Sequence, residues 1–249
     1  MMGPMRIAYR EHLDNFAHDL IVMCDTVRSI MTNASRALLT ASLGSAEDAL
    51  SSADGLSEIR VRCEDRAVEL LALEGPVARD LRQIVSSIYI VEDFARMGAL
   101  AMHIANSARR RHPEHAVPES LLGYFDELAR LVEEMGDKTR DLLVDPNADV
   151  ALVLNEDDDA VDDLHSYILT AMTQRDWPHS TREAVDVALL ARFYERYADH
   201  CVNVAARIVY LTSGLSPNEY VEKKESDRAE ADVAARFAEL ERQFSRRQD

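Results

Sequence analysis

From Met5 to Leu43 the chain contains neither glycine nor proline, while Leu13, Phe16, Leu20, Met23, Val27, Ile30 and Met31 recur at three- and four-residue steps. Only a helix brings such positions onto one face, so the segment reads as one long amphipathic helix. Helix breakers are scarce elsewhere too. The 249 residues hold eight glycines and seven prolines, which argues against a turn-rich β protein and favours long helices.

The few breakers divide the chain. Gly44-Ser45 reads as a stop followed by an N-cap, opening a second helix from Ala46 to Leu73 that is softened near Gly55. Gly75-Pro76 breaks it, and Pro76 starts a third helix that runs to Arg111. The stretch from His112 to Pro118 holds two prolines and cannot continue a helix, which makes it the boundary between two halves. Three more helices are expected over Glu119 to Val144, Ala148 to Thr173 and Ser180 to Ser213, with stops at Asp145-Pro146, near Trp177-Pro178 and at Gly214.

The second half repeats the first. A shift of 100 residues places Arg82 on Arg182, Val85 on Val185, Arg96 on Arg196 and Ala105 on Ala205 without a gap. The expected fold is therefore all-α, with one three-helix bundle over residues 1–111 and a second over 117–215. Residues 217–249 form a charged tail in which Val233, Phe237, Leu240 and Phe244 follow at steps of four, three and four, predicting an amphipathic helix that docks on the body, a dimer mate or a partner.

Charge narrows the function. Twenty-eight Lys and Arg against 45 Asp and Glu give a net charge of −17, which repels phosphate backbones and anionic lipid and argues against direct nucleic-acid binding. Cys24, Cys63 and Cys201 are odd in number and lack C-x-x-C spacing, so they read as reduced, buried thiols. No apolar run approaches the roughly 20 residues of a membrane helix, and Met1 to Arg10 lacks a signal-peptide core, so a soluble cytoplasmic protein is expected.

The chemistry-bearing residues gather on the fifth and sixth helices. Asp158 and Asp162 are four apart with His165 three further on, and Glu195, Asp199 and Asn203 stack at four-residue spacing. Adjacent antiparallel helices bring these faces together. At about 6 Å and an effective dielectric near 20, each unscreened pair of like charges costs about 2–3 kcal/mol. Protons, Arg192 and Arg196, or a bound cation would relieve that repulsion, and oxygen ligands with one imidazole suit Mg, Mn, Fe or Zn; a solvated acidic face is the plainer alternative. The sequence has no G-x-x-x-x-G-K, G-x-S-x-G or H-E-x-x-H, and His103, His112, His115 and His179 have no nucleophile to serve.

Two segments carry a resemblance. Leu73 to Arg82 is similar to the segment L-x-x-P-V-A-x-D-L-R of the PhoU family of phosphate-specific transport accessory proteins, and Tyr194 to His200 resembles that family's signature L-E-R-I-G-D-H. The similarity extends from Met5 to Gly214. It implies a pair of three-helix bundles and a non-enzymatic, cytoplasmic regulator that couples the ATPase subunit of a phosphate ABC transporter to a phosphate-sensing histidine kinase. In that role the phosphate-starvation response stays off when phosphate is plentiful, and contact with the membrane is through partners only. It also implies a homodimer and iron or zinc held by acids on the second, third, fifth and sixth helices. Here Ala53, Ser57, Ala95 and Ala99 stand where the first half would carry its acids, so any divalent cation is expected in the second half alone, with Asp158, Asp162, Glu195 and Asp199 as ligands and Asn203 and His165 as auxiliaries. A paralogue serving a low-affinity phosphate permease is the alternative. A carboxylate-bundle metalloenzyme is weaker, because such enzymes use two E-x-x-H pairs and this chain offers only Asp162-x-x-His165.

Overall fold

The computed structural model describes residues 4–73, 78–173 and 177–245. Among them there is no strand, and eight α-helices follow in order: α1 Pro4–Thr40, α2 Leu43–Ser51, α3 Ala53–Leu73, α4 Ala78–Arg111, α5 Leu122–Val144, α6 Ala148–Thr173, α7 Thr181–Ser213 and α8 Pro217–Ser245. A single 3-10 turn, Glu119–Leu121, leads into α5. The expected opening of the third helix at Pro76 lies outside the described residues.

The first break falls earlier than Gly44-Ser45. Ala41 takes a left-handed conformation with φ 50. Ser42 then accepts from the backbone N–H of Ser45 as the N-cap of α2, and Gly44 sits inside that helix. A non-glycine residue in this region costs about 1–2 kcal/mol, so the turn needs outside support. His112 supplies some, its Nδ1 lying 2.9 Å from the Ala41 carbonyl oxygen. The softening expected at Gly55 is instead a break at Ser52, whose hydroxyl donates to the Asp48 carbonyl at 3.0 Å. Later boundaries follow the sequence closely. Ser180 and Glu183 form a capping box that opens α7, and Gly214 closes it with φ 76, a value that favours glycine.

In the first half α1, α3 and α4 pack as a bundle with α2 bridging α1 and α4, and α5, α6 and α7 form the second. The halves are not separate bodies. α4 also packs along α7 and α1 along α5, so one hydrophobic core runs through both bundles, with Phe16, Met23, Phe94, Phe125, Tyr194 and Tyr197 all buried in it. Polar contacts also stitch the halves together. Tyr194 donates its hydroxyl to Ser35 Oγ at 2.9 Å inside the core. Nearer the surface Arg28 pairs with Asp25 and Asp137, and Arg140 returns to Asp25 at 2.8 Å.

The three cysteines are free and buried, as their spacing suggested. Burial pushes the Cys24 thiol up to about 12 and the Cys63 thiol up to about 11, so neither is a nucleophile near neutral pH. The tail is a helix, but its stripe does not dock on the body at the positions described. Val233 is 50% and Phe237 64% exposed, while the side chains of Leu240 and Phe244 lie outside the description. α8 is tied to the body near its start, where Tyr220 and Lys224 both reach Asp149 on α6.

Candidate functional site

The helices α6 and α7 lie antiparallel and in contact, and each brings two of the expected carboxylates to the seam between them. Asp158 is half-buried, with an Oδ1 that has no hydrogen-bond partner. Its carboxyl is pushed up to about 7, first by loss of solvent and then by the neighbouring charges of Asp162, Asp199 and Glu195. Those contributions place all four acids within electrostatic reach of one another. Glu195 is only 7% exposed. Burial and then Asp199 raise its carboxyl above the ordinary glutamate range, against the opposing pull of Arg192.

The arginines take part of the charge. Arg192 donates to Glu195 Oε1, leaving Oε2 buried with no partner, and Arg196 lies 3.7 Å from Asp199. His165 sits at the edge of the same seam. Burial first, then the positive charge of Arg192, holds its imidazole below the ordinary histidine value, while Asp162 pulls the other way, so at neutral pH the ring is neutral and free to act as a ligand. Asn203 serves a different space. It lines a cavity of about 560 Å³ between α4 and α7, together with Tyr89, Glu92, Asp93, Arg96 and Arg207.

The donor set suits a hard divalent cation, and the orphaned oxygens of Asp158 and Glu195 are where one would be satisfied. Among the described residues, however, no three His, Cys, Asp or Glu side chains are drawn together closely enough to enclose a metal ion. In this arrangement Arg192, Arg196 and a proton on Asp158 offset the charge. A cation would have to draw the four carboxylates inward.

The matching seam in the first half has no such chemistry. The corresponding positions are Ala53 and Ser57 on α3 and Ala95 and Ala99 on α4, with Ser57 exposed. Between them Leu56 packs so tightly on α4 that a β-carbon placed on Gly98 would fall 2.3 Å from its Cδ2. At this level the seam is closed by the Leu56 side chain, and one turn along it Arg60 of α3 pairs with Glu92 of α4.

One polar pair escaped the sequence reading. His200, buried on α7, holds Asp93 of α4 at 2.8 Å across the junction of the halves. Its only signal was position, a histidine flanked by Tyr197, Ala198, Cys201 and Val204 on the buried face of α7. A second is Asp19 on α1, 5% exposed, which Arg62 and Arg66 of α3 clamp at 2.9 and 3.1 Å.

Comparisons with known proteins agree with this architecture. The PhoU domain model matches residues 20–108 and again 125–208, one copy per bundle. The chain is 45% identical over 213 residues to the phosphate-specific transport system accessory protein PhoU homolog 2 of Mycobacterium tuberculosis, covering 86% of this chain and 100% of that protein. It is 42% identical over 215 residues to PhoU homolog 1 of Mycobacterium leprae, covering 86% of this chain and 97% of the relative. The crystal structure of PhoU from Pseudomonas aeruginosa superposes with a TM-score of 0.77 at 25% identity, over 83% of this chain and 100% of that one. The chain belongs to the PhoU family, and the resemblance seen in its two segments is borne out.

Proposed function

We propose that this member of the PhoU family is a non-enzymatic accessory regulator of phosphate uptake. It works in the cytoplasm as a homodimer, linking the ATPase subunit of a phosphate ABC transporter to a phosphate-sensing histidine kinase and keeping the starvation response off when phosphate is plentiful. The observation that carries the reading is the 45% identity along the whole length of a relative named as an accessory protein of the phosphate-specific transport system. Two features are consistent with it. Among the described residues no helix is long and apolar enough to cross a membrane. Beside the acidic seam, Cys201, the thiol nearest in sequence, is buried and not available as a nucleophile.

The seam fits a regulatory cation. Asp158, Asp162, Glu195 and Asp199 would hold it, with His165 at the edge, and its charge would replace the proton and the arginines that now offset the acids. Asn203 would join only by turning from the α4–α7 cavity. Metal analysis of protein purified without chelator or His-tag, beside a Glu195→Ala, Asp199→Ala variant, tests this part. Equal metal content in the two would refute it.

The regulatory reading has its own test. A deletion strain grown in high phosphate is expected to express alkaline phosphatase constitutively, and tagged protein is expected to retain transporter and kinase subunits in a pull-down. A normal phosphatase profile would overturn the coupling role.

A further inference from the structure

We infer that the cavity where the start of α4 meets the end of α7 is a binding site for a phosphate-class oxyanion. It stands apart from the acidic seam and does not depend on any contact with a transporter. The cavity encloses about 560 Å³ and is lined by Arg79, Arg82 and Gln83 of α4, Pro146 before α6, and Leu211 and Thr212 of α7. No acidic side chain lines it among the described residues, in a chain whose net charge is −17.

Arg82 is the telling residue. Seven arginines are half-buried among those described: Arg28, Arg60, Arg66, Arg82, Arg111, Arg140 and Arg207. Arg28, Arg60, Arg66, Arg111 and Arg140 each hold a carboxylate. Arg207 lies over the ring of Tyr89 at 4.0 Å. Among the described residues Arg82 has neither kind of partner, and its buried Nε meets no acceptor there. Its guanidinium rests against the left-handed turn that ends α7, since a β-carbon on Gly214 would lie 3.6 Å from Arg82 Cζ. A half-buried guanidinium with no carboxylate beside it suits an oxyanion, which can take parallel N–H bonds from it. Arg79 adds a second positive charge, and the Gln83 amide a neutral donor. The Thr212 hydroxyl already donates to the Ile208 carbonyl at 2.9 Å, so the arginines would bear the recognition.

The internal repeat supplies an independent argument. At the equivalent end of the second half, Glu183 stands where the first has Gln83, and Asp186 where the first has Ser86. There the acids are used internally: Arg111 donates to Asp186 at 2.9 Å, and Glu183 caps α7. The first half keeps the arginine at position 82 and lacks both acids. An anion at this end of the first half therefore meets less negative charge than it would at the equivalent end of the second.

The test is calorimetric titration of the full-length protein in phosphate-free buffer with inorganic phosphate, pyrophosphate and ATP. Saturable binding of at least one is expected, weakened at least about fivefold by Gln83→Glu, which writes the second half's residue into the cavity, and by Arg79→Ala, Arg82→Ala. Tight binding of inorganic phosphate would identify the free ion as ligand. Binding of pyrophosphate or ATP alone would identify a larger phosphorylated molecule, for which the cavity has room. Gln83→Glu changes one half-buried amide into an isosteric carboxylate and should leave the thermal midpoint in place, so it decides the matter even if the double variant fails to fold. No saturable binding of any of the three, or binding that Gln83→Glu weakens less than fivefold, would overturn the inference.

Discussion

The seam between α3 and α4 and the seam between α6 and α7 occupy equivalent places in the two bundles, yet they are filled with opposite chemistry. In the first, Leu56 closes over Gly98 amid Ala53, Ser57, Ala95 and Ala99. In the second, the matching pair is Val161 with Ala198, both buried, and the flanking positions are Asp158, Asp162, Glu195 and Asp199. A larger side chain over a smaller one in one half thus answers a smaller over a larger in the other. The scaffold survives because the buried stripe is conserved in volume, while the residues beside it are free to be apolar or acidic. The ends of the bundles diverge in the same manner, where the second half carries its own acids and the first, among the described residues, leaves Arg82 unpaired.

The first seam offers the largest expected effect. Gly98→Val forces branched carbon into space that Leu56 already holds, and should cost about 2 kcal/mol in urea unfolding. The separate double variant Leu56→Val, Gly98→Ala, which copies the second half's pair, should instead keep stability within about 1 kcal/mol of the parent. If Gly98→Val costs less than 0.5 kcal/mol by that measurement, roughly the level of a surface change, the first seam is not closed by this contact.

Where the halves meet, the contrast lies between positions 93 and 193. Asp93 accepts from buried His200, whereas Phe193 stacks on His103 with ring centroids 5.2 Å apart. Asp93→Ala should cost about 1–3 kcal/mol by orphaning the imidazole, while Asp93→Asn, which keeps an acceptor, should cost less. Equal losses for the two variants would show that the hydrogen bond does not hold the junction.

Most of this architecture was legible because helical periodicity and breakers act locally. Ser180, Gly214 and the Ala148–Thr173 helix stood where the pattern placed them. The break after α1 did not, because Ala41 adopts a conformation its own chemistry disfavours and is supported by His112, 71 residues away. The acids of the second seam were legible from their four-residue spacing, which fixes a helical face. Their degree of neutralisation was not, since it depends on how Arg192 and Arg196 fold back on Glu195 and Asp199. The Asp93–His200 pair and the setting of Arg82 both depend on contacts between α4 and α7, and no local pattern reports them.

The acidic seam should reveal itself through pH. Because the folded carboxyl of Asp158 titrates at about 7, well above its unfolded value, the folded state binds the extra proton between the two. Stability from this group is therefore fully present below about pH 4 and lost progressively as pH rises to about 7, the reverse of an acid held in a salt bridge. Asp158→Asn should remove that loss, raising stability at pH 8 by about 1 kcal/mol, or roughly 2–4 °C in Tm for a chain of this size, and leaving little difference at about pH 4, where the unfolded carboxyl also holds a proton. The first half has Ala53 at this position and no such slope to remove. A variant whose advantage is the same at both pH values would show that Asp158 is ionised throughout and that the two seams differ less than their residues suggest.

The smallest effect is expected in α8, which has no counterpart in either bundle and lies beyond residue 208, where the second match to the family ends. Its stripe has the spacing of a packed seam, yet Val233 and Phe237 face solvent. Burial of a large apolar side chain is worth about 1.5–3 kcal/mol, so two covered positions would be hard to miss on substitution. Val233→Ser with Phe237→Ser should change unfolding stability by less than about 0.5 kcal/mol, because side chains already in water contribute little to holding the fold. Sedimentation of the same variant should match the parent. A loss above 1 kcal/mol, or a shift in sedimentation with protein concentration, would show that the stripe is covered in solution and that the tail belongs with the packed regions of the molecule.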